Sequence, residues 1–256
     1  MTAPIGLIDT GINPGHGILA GAKVTVIDRP SAGEGSGAVH GTAVASLLIG
    51  DPGSRVPGLL PGATVLAVDV FSRAAGDERA DAAALVEGLD LLAARGVRVY
   101  NLSLSGPPNA VLARMIDRLT DPAGLDALVV SAAGNGGPAA DPAWPRAHPG
   151  VIAVTAVDAR GRIYARAQRG DHLALAAPGV NLLAATSVRG ARPQTGTSFA
   201  VPFVTAAAAL ALAAPGSDGT AAGARAALLA EVRDLGAPGP DPVFGQGLLQ
   251  ARALCP

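Results

Sequence analysis

Cysteine is nearly absent from this sequence: Cys255, beside the C-terminus, is the only one among 256 residues. One cysteine forms neither an internal disulfide nor a cysteine-ligated metal cluster, so neither device stabilises the fold. A surplus of charge is absent too, because 19 Lys and Arg residues stand against 20 Asp and Glu residues and no basic tract is visible. Non-specific binding to nucleic acid has no electrostatic source here, and we expect no nucleic-acid partner.

Aromatic residues are scarce, at 3% of the chain, whereas hydrophobic residues reach 49% and charged residues only 15%. This composition excludes intrinsic disorder, which combines low hydrophobicity with high charge, and it predicts a core of Ala, Val, Leu and Ile. The length suits one α/β domain, so we expect residues 1–256 to form a single domain and to act as a monomer.

Long hydrophobic runs are missing as well. The longest uncharged apolar run, residues 199–214, is shorter than the roughly 20 residues of a membrane span and contains Pro202, so we expect no membrane partner. The N-terminal segment has no positive charge before its apolar residues and includes Pro4, unlike a signal peptide. We therefore expect a cytoplasmic protein, or a secreted one if the chain is the trimmed mature part of a longer precursor.

Short aliphatic runs alternate with longer helical patterns along the chain. Most of the runs are apolar on both faces, as expected of strands in a parallel sheet that helices cover on each side. The predicted strands are residues 4–8, 23–27, 64–70, 97–104, 127–132 and 151–157, and the predicted helices are 41–49, 80–94, 111–119, 198–213 and 220–233. The fold class is therefore α/β: a doubly wound, mostly parallel sheet flanked by helices in three layers.

Polar residues stand where several of these strands end. Asp9 follows the first strand, Asn101 and Ser103 lie in the fourth, and Ser131 and then Asn135 come at the end of the fifth. Open α/β sheets place their functional sites at the carboxyl ends of their strands. We expect the site of this protein there.

Four glycine-bearing motifs carry the chemistry. Taken singly, Asp9 fits a turn, His40 a helix start, Asn135 a glycine turn and Ser198 a helix N-cap. Taken together and in this order, Asp9-Thr10-Gly11, His40-Gly41-Thr42, Ala133-Gly134-Asn135 and Gly196-Thr197-Ser198 resemble the signatures of the subtilisin-like serine proteases, the subtilases. Supporting matches lie at residues 101–104, 148–154, 177–179 and at Pro202. The resemblance covers nearly the whole chain.

The resemblance implies a serine endopeptidase that works through an acyl-enzyme. Ser198 is the expected nucleophile, and His40 is the base that takes its proton and later returns it to the leaving amine. Asp9 is expected to accept the other ring N–H of His40. The backbone N–H of Ser198 and the side-chain amide of Asn135 are the expected oxyanion donors.

The resemblance also places the peptide or protein substrate, which is expected to bind in extended conformation beside the fourth strand. The side chain before the scissile bond is expected to lie between residues 104–106 and 132–134, with two further residues at its base. The expected substrate-binding residues are Leu102, Ser103, Leu104, Ser105, Gly106, Ala132, Ala133, Gly134, Ala143 and Trp144.

The resemblance implies no required cofactor. Calcium loops of many relatives are Asn-rich, whereas Asp51 and Ser54 offer too few oxygen ligands here to predict a calcium site. His16, His148 and His172 have no partner at ligand spacing, so we expect no metal site. The pro-segment and signal peptide of secreted relatives are also expected to be absent.

Two other functions compete with this interpretation. A serine esterase of the α/β-hydrolase fold requires Gly-x-Ser-x-Gly and the order Ser, acid, His, whereas Ala200 occupies the last glycine position here and the order is Asp, His, Ser. A non-catalytic binding module that kept the fold is the second alternative, favoured by the absent pro-segment and calcium loop. The substrate sequence, and the choice between general degradation and processing of one dedicated peptide, are left open.

Overall fold

A large central sheet organises the residues that the computed structural model describes, which are 3–31, 35–74 and 77–252. Cys255 and the first two residues, Met1 and Thr2, lie outside these ranges. In chain order the strands are β1 (Ile5–Asp9), β2 (Lys23–Val26), β3 (Thr64–Asp69), β4 (Ser72–Ala74), β5 (Asp77–Arg79), β6 (Val99–Leu102), β7 (Leu128–Ala132), β8 (Val151–Val157), β9 (Leu173–Pro178), β10 (Leu182–Ala185), β11 (Ala191–Gln194), β12 (Val232–Arg233) and β13 (Leu248–Leu249). The helices are α1 (Val39–Ile49), α2 (Ala82–Ala93), α3 (Ala110–Thr120), α4 (Thr197–Ala213) and α5 (Ala221–Ala230), with a 3₁₀ turn at Gly17–Leu19.

Within the described ranges, nine strands form the sheet in the order β12-β13-β9-β8-β7-β6-β1-β3-β2. Every neighbouring pair is parallel except β12 with β13. The central strands β1, β6, β7 and β8 are buried along their whole length, as their uninterrupted apolar character predicts. The predicted mostly parallel α/β sheet is confirmed.

Helices cover both faces of this sheet. On one face α1, α4 and α5 share a core with the strands, and on the other face α2 and α3 do the same. α4 is apolar on nearly all sides and lies between the sheet and its neighbouring helices, which explains why so few of its residues reach solvent. No helix in the described part of the chain is long and apolar enough to cross a bilayer.

Two predicted elements extend at least two residues past their observed ends. In both, pairing with strands that are distant in the sequence decides where the element stops. The predicted helix 220–233 is too long, because α5 ends at Ala230 and the next residues form β12, which pairs with β13. The predicted strand 97–104 is also too long. Its regular part, β6, ends at Leu102, the last residue paired with both β1 and β7, so Ser103 opens the following loop.

The order of the strands reverses around β1. From β1 the chain builds β2 and β3 on one side, and then crosses to build β6, β7, β8 and β9 on the other. The carboxyl ends of β1 and β6 are therefore neighbours at a switch point, where open α/β sheets leave a crevice. Asp9 is the last residue of β1, and this position brings it to that crevice.

Candidate active site

Asp9 and His40 meet at the carboxyl end of β1. Asp9 is almost fully buried, and its Oδ1 lies 2.7 Å from Nδ1 of His40, the second residue of α1. The backbone N–H of Thr10 donates to the same Oδ1 at 2.7 Å. Two donors thus fix this carboxylate oxygen, and they orient the imidazole so that its other nitrogen is free for chemistry.

Gly41 allows α1 to approach β1 closely enough for that contact. Its N–H donates to Oγ1 of Thr10 at 2.9 Å. A Cβ at Gly41 would lie 2.6 Å from the carbonyl oxygen of Gly11 and would overlap that of Thr10. Any side chain here would push the start of α1, and His40 with it, away from Asp9.

Ser198 is the second residue of α4, at the same end of the sheet. It is 8% exposed, and its N–H belongs to the first turn of the helix, where backbone donors have no intrahelical acceptor. The next residue, Phe199, packs against the His40 ring with centroids 5.4 Å apart. This contact brings the imidazole to the start of α4.

The loop before α4 passes close to the end of β8 and to Gly179. The N–H of Gly196 donates to the carbonyl oxygen of Gly179 at 2.9 Å. A Cβ at Gly179 would lie 2.6 Å from Cβ of Ala156 and 2.9 Å from the carbonyl oxygen of Gly196. The glycine that follows Ala177-Pro178 therefore lets the loop pass against β8 and deliver Ser198.

A proline inside α4 changes the hydrogen bonding of Ser198. Pro202 has no N–H to give to the Ser198 carbonyl one turn earlier. The Ser103 hydroxyl donates to that carbonyl oxygen instead, at 3.2 Å. Asn101 donates to the Ser103 hydroxyl at 3.2 Å and accepts from Thr205 at 3.0 Å. These bonds tie the first turns of α4 to the end of β6.

Thr197 holds the side-chain amide of Asn135. Its N–H and its hydroxyl both donate to Oδ1 of Asn135, at 3.0 Å and 3.1 Å. The hydroxyl also accepts the N–H of Gly134 at 3.0 Å. Thr197 thus occupies the amide oxygen of Asn135, and Asn135 is one of the residues that line the cavity beside Ser198. Sequence reasoning did not single out this role for Thr197.

A cavity of about 340 Å³ opens beside Ser198. It is lined by residues of the loops after β6 and β7 and of the start of α4, namely Ser103, Leu104, Ser105, Ala132, Gly134, Asn135, Gly136, Arg146, Thr197 and Ser198. Five of the ten expected substrate-binding residues, Ser103, Leu104, Ser105, Ala132 and Gly134, therefore line one cavity together with the expected nucleophile.

The other expected substrate-binding residues lie around this cavity without lining it. Leu102 and Ala133 are fully buried behind it. Gly106 and Trp144 exchange two backbone hydrogen bonds, of 2.8 Å and 2.9 Å, and both line a neighbouring cavity. Ala143, half-buried, precedes Trp144 and is among the lining residues of neither cavity.

Arg146 lines the cavity although it was not predicted from the sequence, and the same is true of Gly136 and Thr197. Arg146 lies two residues after Trp144 in the chain and is buried, with 3% of its surface exposed. A lone arginine in a Pro-rich loop carries no pattern in the sequence. Only the folded chain brings it beside Gly134.

The electrostatics of His40 suit a base. Burial lowers the pKa of His40, but the charge of Asp9, the hydrogen bond with Asp9 and the charge of Glu78 together outweigh burial. The net result is a pKa of His40 above its ordinary value of 6.5. The Asp9 carboxylate thus stabilises the imidazolium that forms when His40 takes a proton.

The described residues offer no cluster of metal ligands. No group of three or more His, Cys, Asp or Glu side chains in residues 3–31, 35–74 and 77–252 is arranged to hold an ion.

Comparison with known proteins points to one family. Residues 2–247 match the family model described as the subtilase family. Subtilisin BL of Lederbergia lenta is 34% identical over 210 residues, which are 80% of this chain and 74% of that protein. Among solved structures, the patellamide maturation protease PatA has a TM-score of 0.81 at 28% identity, covering 98% of this chain and 95% of that one. The prenylagaramide maturation protease PagA has a TM-score of 0.85 at 25% identity, covering 98% and 92%.

Proposed function

This chain belongs to the subtilase family and is a serine-type endopeptidase, and we propose that Asp9, His40 and Ser198 are its catalytic triad, with Asn135 as an oxyanion donor. The observation that carries the proposal is the 2.7 Å contact of His40 Nδ1 with Asp9 Oδ1, at the end of the sheet where α4 begins with Ser198. The family acts on peptides and proteins, and those are the substrates of this enzyme.

Each residue of the proposed triad has one task. A serine hydroxyl is a weak nucleophile until a base removes its proton, and Nε2 of His40 is that base. As Ser198 Oγ attacks the peptide carbonyl carbon, its proton passes to His40, and Asp9 stabilises the resulting imidazolium. His40 then gives the proton to the leaving nitrogen, the C–N bond breaks, and the acyl group remains on Ser198 until water, activated by His40, releases it.

The negative charge that develops on the carbonyl oxygen needs donors that are already in place. The N–H of Ser198, in the first turn of α4, is one, and the helix dipole adds to its effect. The Asn135 amide is the other, and the two bonds from Thr197 support this role because they occupy the amide oxygen and leave the NH₂ group to donate. In a subtilisin, removal of the corresponding side-chain donor slows catalysis by about 100- to 1000-fold, a value measured in that enzyme.

The loop after β6 is the proposed platform for an extended substrate. Ser103, Leu104 and Ser105 leave the sheet at its carboxyl end and line the cavity beside Ser198. An extended peptide lying along Leu102–Gly106 would exchange backbone hydrogen bonds with this segment, as a strand added to a sheet does. The proposed reaction needs no cofactor, as is general for subtilases.

Labelling with a fluorophosphonate tests the proposal directly, because the reagent forms a covalent adduct only with an activated serine. We expect intact-mass measurement to show one adduct on the wild-type protein and none on Ser198→Ala. Ser217→Ala is the matched control, since Ser217 lies beyond the opposite end of α4, and we expect it to label like the wild type.

Substrate turnover completes the test. Ser198→Ala should lose peptidase activity by about 10⁴-fold or more while its thermal unfolding stays close to that of the wild type, since only one hydroxyl is removed. An adduct on Ser198→Ala, or its undiminished turnover, would contradict the assignment of the nucleophile.

A further inference from the structure

Arg146 is a buried cation whose hydrogen bonds are incomplete. Its Nη2 donates to Oε1 of Gln168, but Nε and Nη1 are buried and have no hydrogen-bond partner. Arg29, which is buried to a similar degree, differs: its Nε donates to the Asp69 carbonyl and its Nη1 forms an ion pair with Glu87 at 3.1 Å. Among the arginines in the described part of the chain, only Arg146 has buried guanidinium nitrogens without a hydrogen-bond partner.

The charge of Arg146 is also uncompensated. No carboxylate among the described residues forms an ion pair with it, whereas Arg29, Arg98, Arg118 and Arg162 all have such partners. Burying an unpaired cation opposes folding, and a ligand that supplies a negative charge would offset this cost. Burial lowers the pKa of Arg146 to about 10, and the guanidinium therefore remains charged at neutral pH.

The guanidinium lies against the loop that follows β7. A Cβ at Gly134 would lie 2.7 Å from Nη2 of Arg146 and 2.8 Å from its Cζ. Gly134 has φ of +100°, which favours glycine, and it precedes Asn135. Arg146, Gly134, Asn135 and Ser198 all line the same cavity, so the unpaired cation shares a pocket with the proposed nucleophile.

Arg146 also lines a second cavity, together with His172 and Arg225. The positive charge of Arg146 contributes to lowering the pKa of His172, after the larger effect of burial. That cavity lacks the proposed nucleophile and oxyanion donor among its lining residues in the described ranges. Arg225 lines this second cavity and not the cavity beside Ser198, and it therefore offers a control cation.

We propose that Arg146 is the specificity-determining residue of the pocket for the side chain immediately before the scissile bond, and that the enzyme cleaves after Glu and Asp. The proposal rests on the proposed function, in which Ser198 is the nucleophile. A carboxylate in this pocket supplies the missing negative charge and accepts a charge-assisted hydrogen bond from an unpartnered N–H of Arg146. Lys or Arg in the same pocket meets a like charge, and Leu leaves the cation unpaired.

A matched series of peptide substrates tests this preference. The peptides share one sequence and one fluorogenic amide leaving group and differ only in the residue before the cut: Glu, Asp, Gln, Leu or Lys. We expect kcat/KM for Glu to exceed that for its neutral isostere Gln by about ten- to a hundredfold, the range for hydrogen bonds to charged groups. Lys should be the poorest substrate of the series.

Variants assign the preference to Arg146. In Arg146→Met we expect the Glu/Gln ratio to fall to about one and the Leu substrate to gain, while Arg146→Lys keeps an acidic preference through its charge. Arg225→Met should leave the ratio unchanged. Fluorophosphonate labelling of Ser198 in each variant shows that its active site is assembled.

The outcomes separate the two proposals. A wild-type enzyme that labels at Ser198 and cleaves after Leu but shows no preference for Glu over Gln overturns the role of Arg146 and leaves the triad intact. An undiminished Glu preference in a labelled Arg146→Met variant overturns it as well. If Ser198 does not label and no peptide of the series is cleaved, the proposed function fails and this inference fails with it.

Discussion

His40 illustrates how much a single residue depends on its immediate contacts. Its ring is 33% exposed, yet Asp9 lies 2.7 Å from one nitrogen and Phe199 packs on one side. The Asp9 carboxylate turns an ordinary histidine into a base that keeps its proton to a higher pH than usual. The raised pKa of His40 therefore reduces activity at acidic pH, whereas it increases stability there.

For activity, we predict an acid limb with a midpoint above pH 6.5, because His40 accepts the Ser198 proton only when it is neutral and its pKa is raised. The measurement is kcat/KM against pH with a substrate that carries no titrating group near the cut. A midpoint below pH 6.5 would contradict the raised pKa.

For stability, the same shift acts the other way. A raised folded pKa means that the His40–Asp9 contact contributes fully below the unfolded pKa of 6.5 and that its contribution is lost as pH rises through the folded pKa. His40→Ala should therefore remove more stability at pH 5 than at pH 9, which urea unfolding at the two values would show.

At the scale of elements, the site depends on how closely α1 and α4 approach the ends of β1 and β6. α1 has no side-chain N-cap, and its start is instead held by the bond from Gly41 to Thr10. α4 also lacks a side-chain N-cap, and Pro202 leaves the Ser198 carbonyl to Ser103. Both helices thus lack a local hydrogen bond and are bonded instead to the residues that directly follow β1 and β6.

We predict that Gly41→Ala loses at least about 100-fold in kcat/KM, because a displacement near 1 Å at a catalytic residue has effects of this size. The added methyl overlaps backbone oxygens, which cannot yield as a flexible side chain does, so we also expect a loss of about 1–3 kcal/mol in the free energy of unfolding. Gly17→Ala is the control, because a Cβ there meets nothing within 4 Å. Full activity in Gly41→Ala would show that close approach of α1 is not required.

The same elements show which parts of the site the sequence predicted. Asp9, His40, Asn135 and Ser198 each stand in a short glycine-bearing motif. Each motif alone fits an ordinary turn or helix start, and only the four motifs in this order made the residues recognisable from the sequence. Arg146 has no such motif, because its role depends on Gly134, to which it comes close only through the fold. The end of α5 was missed for the same reason, since strand pairing between β12 and β13 decides it.

At the scale of the whole molecule, scarcity of aromatic residues determines how the layers pack. With aromatics at 3% of the chain, α4 presents mostly Ala and Val to the strands and helices around it. Small side chains bring the helix axis close to the sheet, and this closeness lets the first turn of α4 reach Asn135 and the end of β6. The packing of small side chains that stabilises the core therefore also positions Ser198 relative to Asn135 and the end of β6.

We predict that enlarging one of these small residues destabilises the protein and disturbs the site together. Ala208 is fully buried in α4, and Ala208→Leu should cost about 1–3 kcal/mol in urea unfolding, the usual range for an overpacked core. It should also lower kcat/KM, because α4 can accommodate the larger side chain only by moving away from the layers around it, and Ser198 moves with it. Ala222→Leu makes the same substitution at an exposed position of α5, where helix propensity hardly changes, so we expect a change within about 0.5 kcal/mol. Equal unfolding free energies for the two variants would show that the surroundings of Ala208 accommodate a larger side chain, and α4 would then not be closely packed.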